Sequence, residues 1–138
     1  MSEKDPIEYG KYFLSNDKLG SLFGYQIIFI SKEECIIEYE SKKEHNNPNG
    51  MLHGGALFTV MDSGQGAFIH YILDEKYKFG AIGTATIRYL APVTVGKIKV
   101  KTWLKEQVKR KFVICSTAID ESGKEVATLE EIWIALLK

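Results

Sequence analysis

The sequence is short of most features that mark a specialised class. It has two cysteines, Cys35 and Cys115, too few for a disulfide scaffold and without Cys or His neighbours at metal-ligand spacing. Each stands in an apolar, β-branched run, Cys35-Ile36-Ile37 and Val113-Ile114-Cys115, and reads as a small buried hydrophobe in a reducing compartment. Prolines number three, and no repeat or low-complexity stretch appears, so no linker is visible and residues 1–138 read as a single domain. No apolar run approaches the length of a membrane span, and no apolar signal core follows Met1-Ser2-Glu3-Lys4-Asp5. The expectation is a soluble, cytoplasmic protein with no membrane partner. Net charge is also lacking, since 18 Lys+Arg balance 18 Asp+Glu. That balance argues against nucleic acid held by bulk electrostatics, and it removes the long-range repulsion that keeps copies of a chain apart.

What is present is a foldable chain. Apolar residues make up 45% of it, too many for disorder, and a chain of 15.6 kDa buries roughly 68% of its unfolded surface. Residues Ile7 to about Asn16 read as a short helix, with Pro6 suited to its first turn. Two β-branched and aromatic runs, 25–30 and 34–40, read as strands, and residues 44–50 as loop. From about His53 to Leu73 the period changes. Ala56, Leu57, Val60, Met61, Gly64, Ala67, Phe68, Tyr71 and Ile72 recur at i, i+3, i+4, which predicts one long helix with a broad apolar stripe. Four further strands follow over about 80–90, 97–108, 111–119 and 125–136, with turns at Lys109-Arg110 and Glu121-Ser122-Gly123. Lys97, Lys99 and Lys101 alternate with Ile98, Val100 and Thr102, so that strand is wet on one face only. The order predicts an α+β domain with a largely antiparallel sheet. With one large helix, part of a sheet face stays uncovered unless a second subunit meets it.

The candidate chemistry lies in Asn47-Pro48-Asn49-Gly50-Met51-Leu52-His53-Gly54-Gly55 and in Asp62. Glycines are poor in helix interiors, but at a helix start they let a ligand carbonyl reach the unpaired amides at the positive end of the dipole. Gly54-Gly55 therefore reads as an oxyanion hole or as a packing requirement. Asp62 lies seven residues after Gly55, close to two turns, on a small polar face with Thr59 and Gly66. It is either a functional acid or a solvated carboxylate. Seven residues at 1.5 Å rise put the two groups roughly 10 Å apart along the axis, too far for both to serve one carbonyl in one chain. Two antiparallel helices related by a two-fold axis remove that difficulty.

These residues resemble the hotdog-fold acyl-CoA thioesterases of the phenylacetyl-CoA type. In that family an Asn and a Gly precede a His-Gly-Gly that opens the central helix, and an Asp follows nine residues after the His. Asn47, Gly50, His53-Gly54-Gly55 and Asp62 stand at matching offsets, and Tyr89-Leu90-Ala91-Pro92 is similar to the family's strand-ending segment. The resemblance implies an antiparallel sheet wrapped around one long central helix, with subunits paired edge to edge in dimers and often again in tetramers. It implies hydrolysis of a medium-chain or aryl acyl-CoA. The Gly55 N–H would polarise the thioester carbonyl, and Asp62 of the neighbouring chain would act as general base or nucleophile. Asn47 would position the water or the acyl group; His53 and Gly54 would shape the helix start. No metal is implied, and coenzyme A is substrate rather than cofactor. Family members often add a Ser or Thr on the strand facing the helix to orient water, a role open here to Thr84, with Thr86 beside it. Arg88 reads as a contact for a coenzyme A phosphate or as a solvated strand residue.

Other readings have less behind them. His45 and His70 lack a Ser or Cys at triad spacing. The basic run from Lys97 to Lys111 reads as a solvated face or a phosphate-attracting rim. A non-catalytic acyl-CoA-binding module of the same fold is the alternative function, and the Asp/His pattern of a dehydratase is absent. Charge is uneven along the chain, with six basic and nine acidic residues over 1–52 against twelve and nine over 53–138. The basic excess falls where an anionic coenzyme A would bind.

Overall fold

The computed structural model describes residues 4–138, so the first three residues of the polar start lie outside it. A first helix, α1, spans Pro6–Asn16. Asp5 caps it by accepting from the Glu8 N–H, and Pro6 occupies the first turn. A one-turn helix α2, Lys18–Ser21, follows on an Asp17 cap and had no signal in the apolar periodicity. Strands β1 (Gln26–Ile30) and β2 (Glu34–Glu40) form a hairpin. The long helix α3 covers Gly54–Ile72, and β3 (Tyr77–Tyr89), β4 (Lys97–Val108), β5 (Lys111–Asp120) and β6 (Glu125–Leu137) complete the chain. The turn residues behave as expected: Lys109 has φ of 55° and Gly123 of 88°.

All six strands join one antiparallel sheet in the order β1-β2-β4-β5-β6-β3. The sheet curves around α3, which touches every strand from β2 through β6. Val60, Met61, Ala67, Phe68 and Ile69 are fully buried against Ile37, Val100, Ile114 and Leu129 of the sheet. Gly64 sets the closeness of the approach. A Cβ there would lie 3.3 Å from Ile37 Cδ1, so a larger residue would push the helix off β2. The lysines 97, 99 and 101 point out while Ile98, Val100 and Thr102 are buried, as the alternation requires. No helix among the described residues is long and apolar enough to cross a membrane.

The core holds one polar knot. The fully buried Gln65 donates from Nε2 to Ile114 O at 3.0 Å, Ser116 Oγ at 3.0 Å and Leu129 O at 3.3 Å. Its Oε1 accepts from Trp133 Nε1 at 3.0 Å, and Ser116 Oγ pairs with Thr102 Oγ1 at 2.9 Å. The helix is thereby tied to β4, β5 and β6 in one register. Gln65→Leu strands the Trp133 N–H in the core, and an unsatisfied buried donor costs about 2 kcal/mol. A lower urea midpoint at unchanged m-value is the expected result.

Candidate active site

The loop before α3 is tied to itself. Asn47 Oδ1 accepts from the N–H groups of Asn49 and Met51 at 2.9 and 3.2 Å, and Gly50 turns the chain with φ of 79°. The His53 N–H donates to His45 O at 2.9 Å, which delivers His53 to the helix N-cap. There its Nδ1 accepts the Gly55 N–H at 2.8 Å, so its proton sits on Nε2. Asn47 is left with a free side-chain NH2 among the described residues.

This cap changes which amide is open. The Gly55 N–H, the expected carbonyl-polarising donor, is already bonded to the imidazole. The Gly54 N–H, at the first helical residue, has no acceptor among the described residues. Tyr89, at the end of β3, donates its hydroxyl to Gly54 O at 2.7 Å, and a Cβ on Gly54 would lie 3.1 Å from the phenol ring. A side chain at either glycine is crowded, since a Cβ on Gly55 would lie 3.0 Å from the His53 ring. A groove of about 370 Å³ runs over this helix start, lined by Asn47, Met51, Gly54, Leu57, Tyr89 and Pro92 among others. Asn47 and Gly54 thus share a surface. A larger cavity of about 570 Å³ lies at the far end of α3 beside Tyr71 and Lys78 and contains none of the expected site residues.

Asp62 is half-buried rather than solvated. Burial raises its affinity for a proton, and its Oδ1 has no hydrogen-bond partner. Its neighbour is a residue that the motif reading missed. Glu131 of β6 is 0% exposed, neither of its oxygens has a partner, and its carboxyl lies within hydrogen-bonding reach of Asp62. Burial first, and Asp62 second, push the Glu131 pKa up to about 9. The signal was present in the alternation of β6. Leu129, Glu131, Trp133 and Ala135 form the inward face, with one acid in an apolar row.

The two β3 candidates are not on the helix side. Opposed residues of an antiparallel pair share a face, and Thr84 opposes Ile132, Thr86 opposes Glu130, and Arg88 opposes Thr128. These partners point outward, whereas Ala85 and Ile87 oppose the inward Glu131 and Leu129. A bulge between Ile82 and Thr84 inserts one residue and reverses the alternation, so the expectation that Thr84 faces the helix is corrected. Arg88 stands on the outer face, where its charge acts on Glu130. His70 is a structural residue. Its Nε2 accepts the Gly80 N–H at 3.1 Å and its Nδ1 binds Gly66 O at 2.8 Å, and burial lowers its pKa. Cys35 is buried with its thiol pushed up to about 12 by that burial, and Cys115 is half-buried beside Glu130.

With this geometry in hand, the comparisons with known proteins are specific. The sequence profile of the thioesterase superfamily matches residues 49–127. An esterase candidate of Saccharolobus solfataricus is 23% identical over 121 residues, covering 88% of this chain and 79% of that protein. Among solved structures, the PaaI protein of the Escherichia coli phenylacetic acid degradation operon superposes with a TM-score of 0.85 at 18% identity, covering 94% of this chain and 92% of that one. A hypothetical thioesterase of Streptococcus pneumoniae with coenzyme A superposes with a TM-score of 0.81 at 19% identity, covering 93% and 97%.

The His53 cap yields a prediction independent of activity. His53→Ala removes the acceptor of the Gly55 N–H and lowers stability by about 1 kcal/mol, while His53→Asn, a good N-cap, restores most of it. Urea denaturation of the three proteins measures both steps.

Proposed function

This chain belongs to the thioesterase superfamily and is a thioester hydrolase of the hotdog fold, and on that premise we propose that it cleaves an acyl-CoA to free acid and coenzyme A at a site completed by two copies of the chain. The observation that carries the reading is the division of labour along α3. A free N–H stands at Gly54 and a half-buried carboxylate at Asp62, eight residues apart and so about 12 Å along the axis. A base must act within hydrogen-bond reach of the reacting atoms or through one water. The two groups therefore meet one thioester only if they come from antiparallel helices of a two-fold pair.

The sheet edge supports that pairing. β3 is a 13-residue edge strand with no neighbour on its outer side among the described residues, and Phe79 and Ile82 are each 41% exposed on it. A long, apolar, unpaired edge is a template for another strand, and a second β3 running antiparallel extends the sheet through both subunits. The coenzyme A held by the Streptococcus pneumoniae fold supports a ligand of that class, and the phenylacetic acid degradation operon of the Escherichia coli structure supports an aryl acyl group.

In the proposed chemistry Asp62 takes a proton from water, and the water oxygen adds to the thioester carbon. The carbonyl oxygen gains charge and is held by the Gly54 N–H of the other helix, where the positive end of the helix dipole adds to the effect. Collapse breaks the C–S bond, and the proton passes from Asp62 to the thiolate. Atoms balance as acyl-CoA plus water giving acid plus thiol. Burial raises the proton affinity of Asp62, the direction a general base needs. Asn47, with its free NH2 on the groove, orients the acyl group or the water.

Removal of a general base costs about 10²–10⁴-fold in rate. Asp62→Asn is expected to lose thiol release by that factor across acetyl, hexanoyl, lauroyl, benzoyl and phenylacetyl coenzyme A, with unchanged circular dichroism and sedimentation. Full activity in that variant, or acyl-CoA bound without turnover by the wild type, ends the proposal. Sedimentation is expected to show a dimer or tetramer, with dilution to monomer abolishing turnover.

A further inference from the structure

The Asp62–Glu131 pair is not explained by packing alone. Glu131 projects from the inward face of β6 between Leu129 and Trp133, opposite Ala85 of β3 and Ile114 of β5, and of these side chains only the Trp133 indole carries a donor. The indole N–H of Trp133, near enough to Glu131 to ease its ionisation, donates to Gln65 Oε1, and the Gln65 amide is taken up by Ile114, Ser116 and Leu129. So among the described residues both Glu131 oxygens and Asp62 Oδ1 are buried without a hydrogen-bond partner, and the two carboxyls face each other. Two bare carboxylates in contact inside a protein repel strongly and are each poorly solvated. One proton between them removes the repulsion and satisfies both orphaned acceptors at once.

We infer that Glu131 is a positioning residue: it keeps one proton through turnover and donates it as a hydrogen bond to Asp62, which stays ionised and aimed at the water. The inference rests on the hydrolytic reading of Asp62 and adds a second carboxyl that never touches substrate. The proton belongs to Glu131 because Glu131 is fully enclosed, whereas half-buried Asp62 keeps contact with water and can carry the charge at lower cost. The surroundings agree. The other charge that reaches Asp62 is the carboxylate of Asp17, at the α1–α2 junction, which accepts the Tyr25 hydroxyl at 2.6 Å. It raises the proton affinity of Asp62, so it favours one retained proton on the pair over two bare carboxylates, while the enclosure of Glu131 decides which carboxyl keeps it. From α3 the nearest titratable group in the chain beyond Asp62 is His70, neutral with both nitrogens bonded, and β3 presents Ala85, Ile87 and Tyr89 on this face, the Tyr89 hydroxyl being bonded to Gly54 O. No cation among these groups competes for Asp62.

The pair has a pH signature. Below the alkaline limit the hydrogen bond holds; as pH rises through about 9, Glu131 loses its proton and the bond becomes a repulsion. The kcat/KM profile of the wild type is therefore expected to fall above about pH 9, after subtraction of uncatalysed hydrolysis. Glu131→Gln keeps an N–H donor toward Asp62 and has nothing to titrate. It should retain neutral-pH kcat within about threefold and lose the alkaline fall. Glu131→Leu removes the donor, so the acid limb moves up, and each pKa unit past the assay pH removes about tenfold of kcat with KM little changed. A purely structural role would lower both variants through stability and leave the profile shape alone. One readout needs no turnover: at neutral pH the wild type should show the infrared carbonyl band of a protonated carboxylic acid, absent from Glu131→Gln. Absence of that band in the wild type, or a Glu131→Gln profile identical to wild type, overturns the inference. A chain that shows the band and its loss but hydrolyses no acyl-CoA keeps the pair and discards the hydrolytic reading instead. If Glu131→Leu does not fold, the glutamine variant and the infrared band decide.

Discussion

A helix laid along the concave side of a sheet must satisfy every polar atom it brings there, and that requirement organises this protein. The backbone of α3 satisfies itself by i→i−4 bonds except at its ends. Its side chains do not. Gln65 is tolerated at 0% exposure only because four groups on β5 and β6 meet its two amide ends. These bonds lock rotation and translation of the helix against the strands. The first amide of α3 and the carboxyl of Asp62 then acquire fixed positions, so the candidate chemistry inherits its precision from a core glutamine.

The two ends of α3 are treated differently. The C-terminal end closes with the Leu73 N–H on Ile69 O and with His70 clamped between Gly66 and Gly80. The N-terminal end is left partly open. His53 caps the second amide, Tyr89 holds the first carbonyl, and the first amide faces a groove. A molecule indifferent to ligands would close both ends alike. This one has kept the positive end of the dipole accessible, bordered by two glycines at which a side chain is crowded.

Much of this was readable before any coordinates. Periodicities of two and of 3.6 placed six strands and the long helix within a few residues of their observed bounds, because burial on one face writes itself into apolar spacing. The acid at Asp62 was legible because it interrupts that spacing on a helix. Three features were not. Thr84 was assigned to the wrong face because a bulge leaves no mark in composition, Gly83 being compatible with straight strand as well. Gly55 was preferred as the open amide because nothing in residue types says that the preceding His53 would cap it rather than point away. Glu131 stands beside Glu130, which lies on the outer face of β6, and residue type alone does not separate two adjacent acids; only alternation counted from Trp133 puts Glu131 inside.

The extra residue at Gly83 has a consequence for lineage. It separates β3 into two halves whose inner and outer positions are of opposite parity. Any relative without the insertion, aligned by count through this strand, places an inward side chain against an outward one from Thr84 to Tyr89. Correspondence along this strand therefore has to be traced by face rather than by count, with Ala85, opposite Glu131, as the inward position next to Thr84.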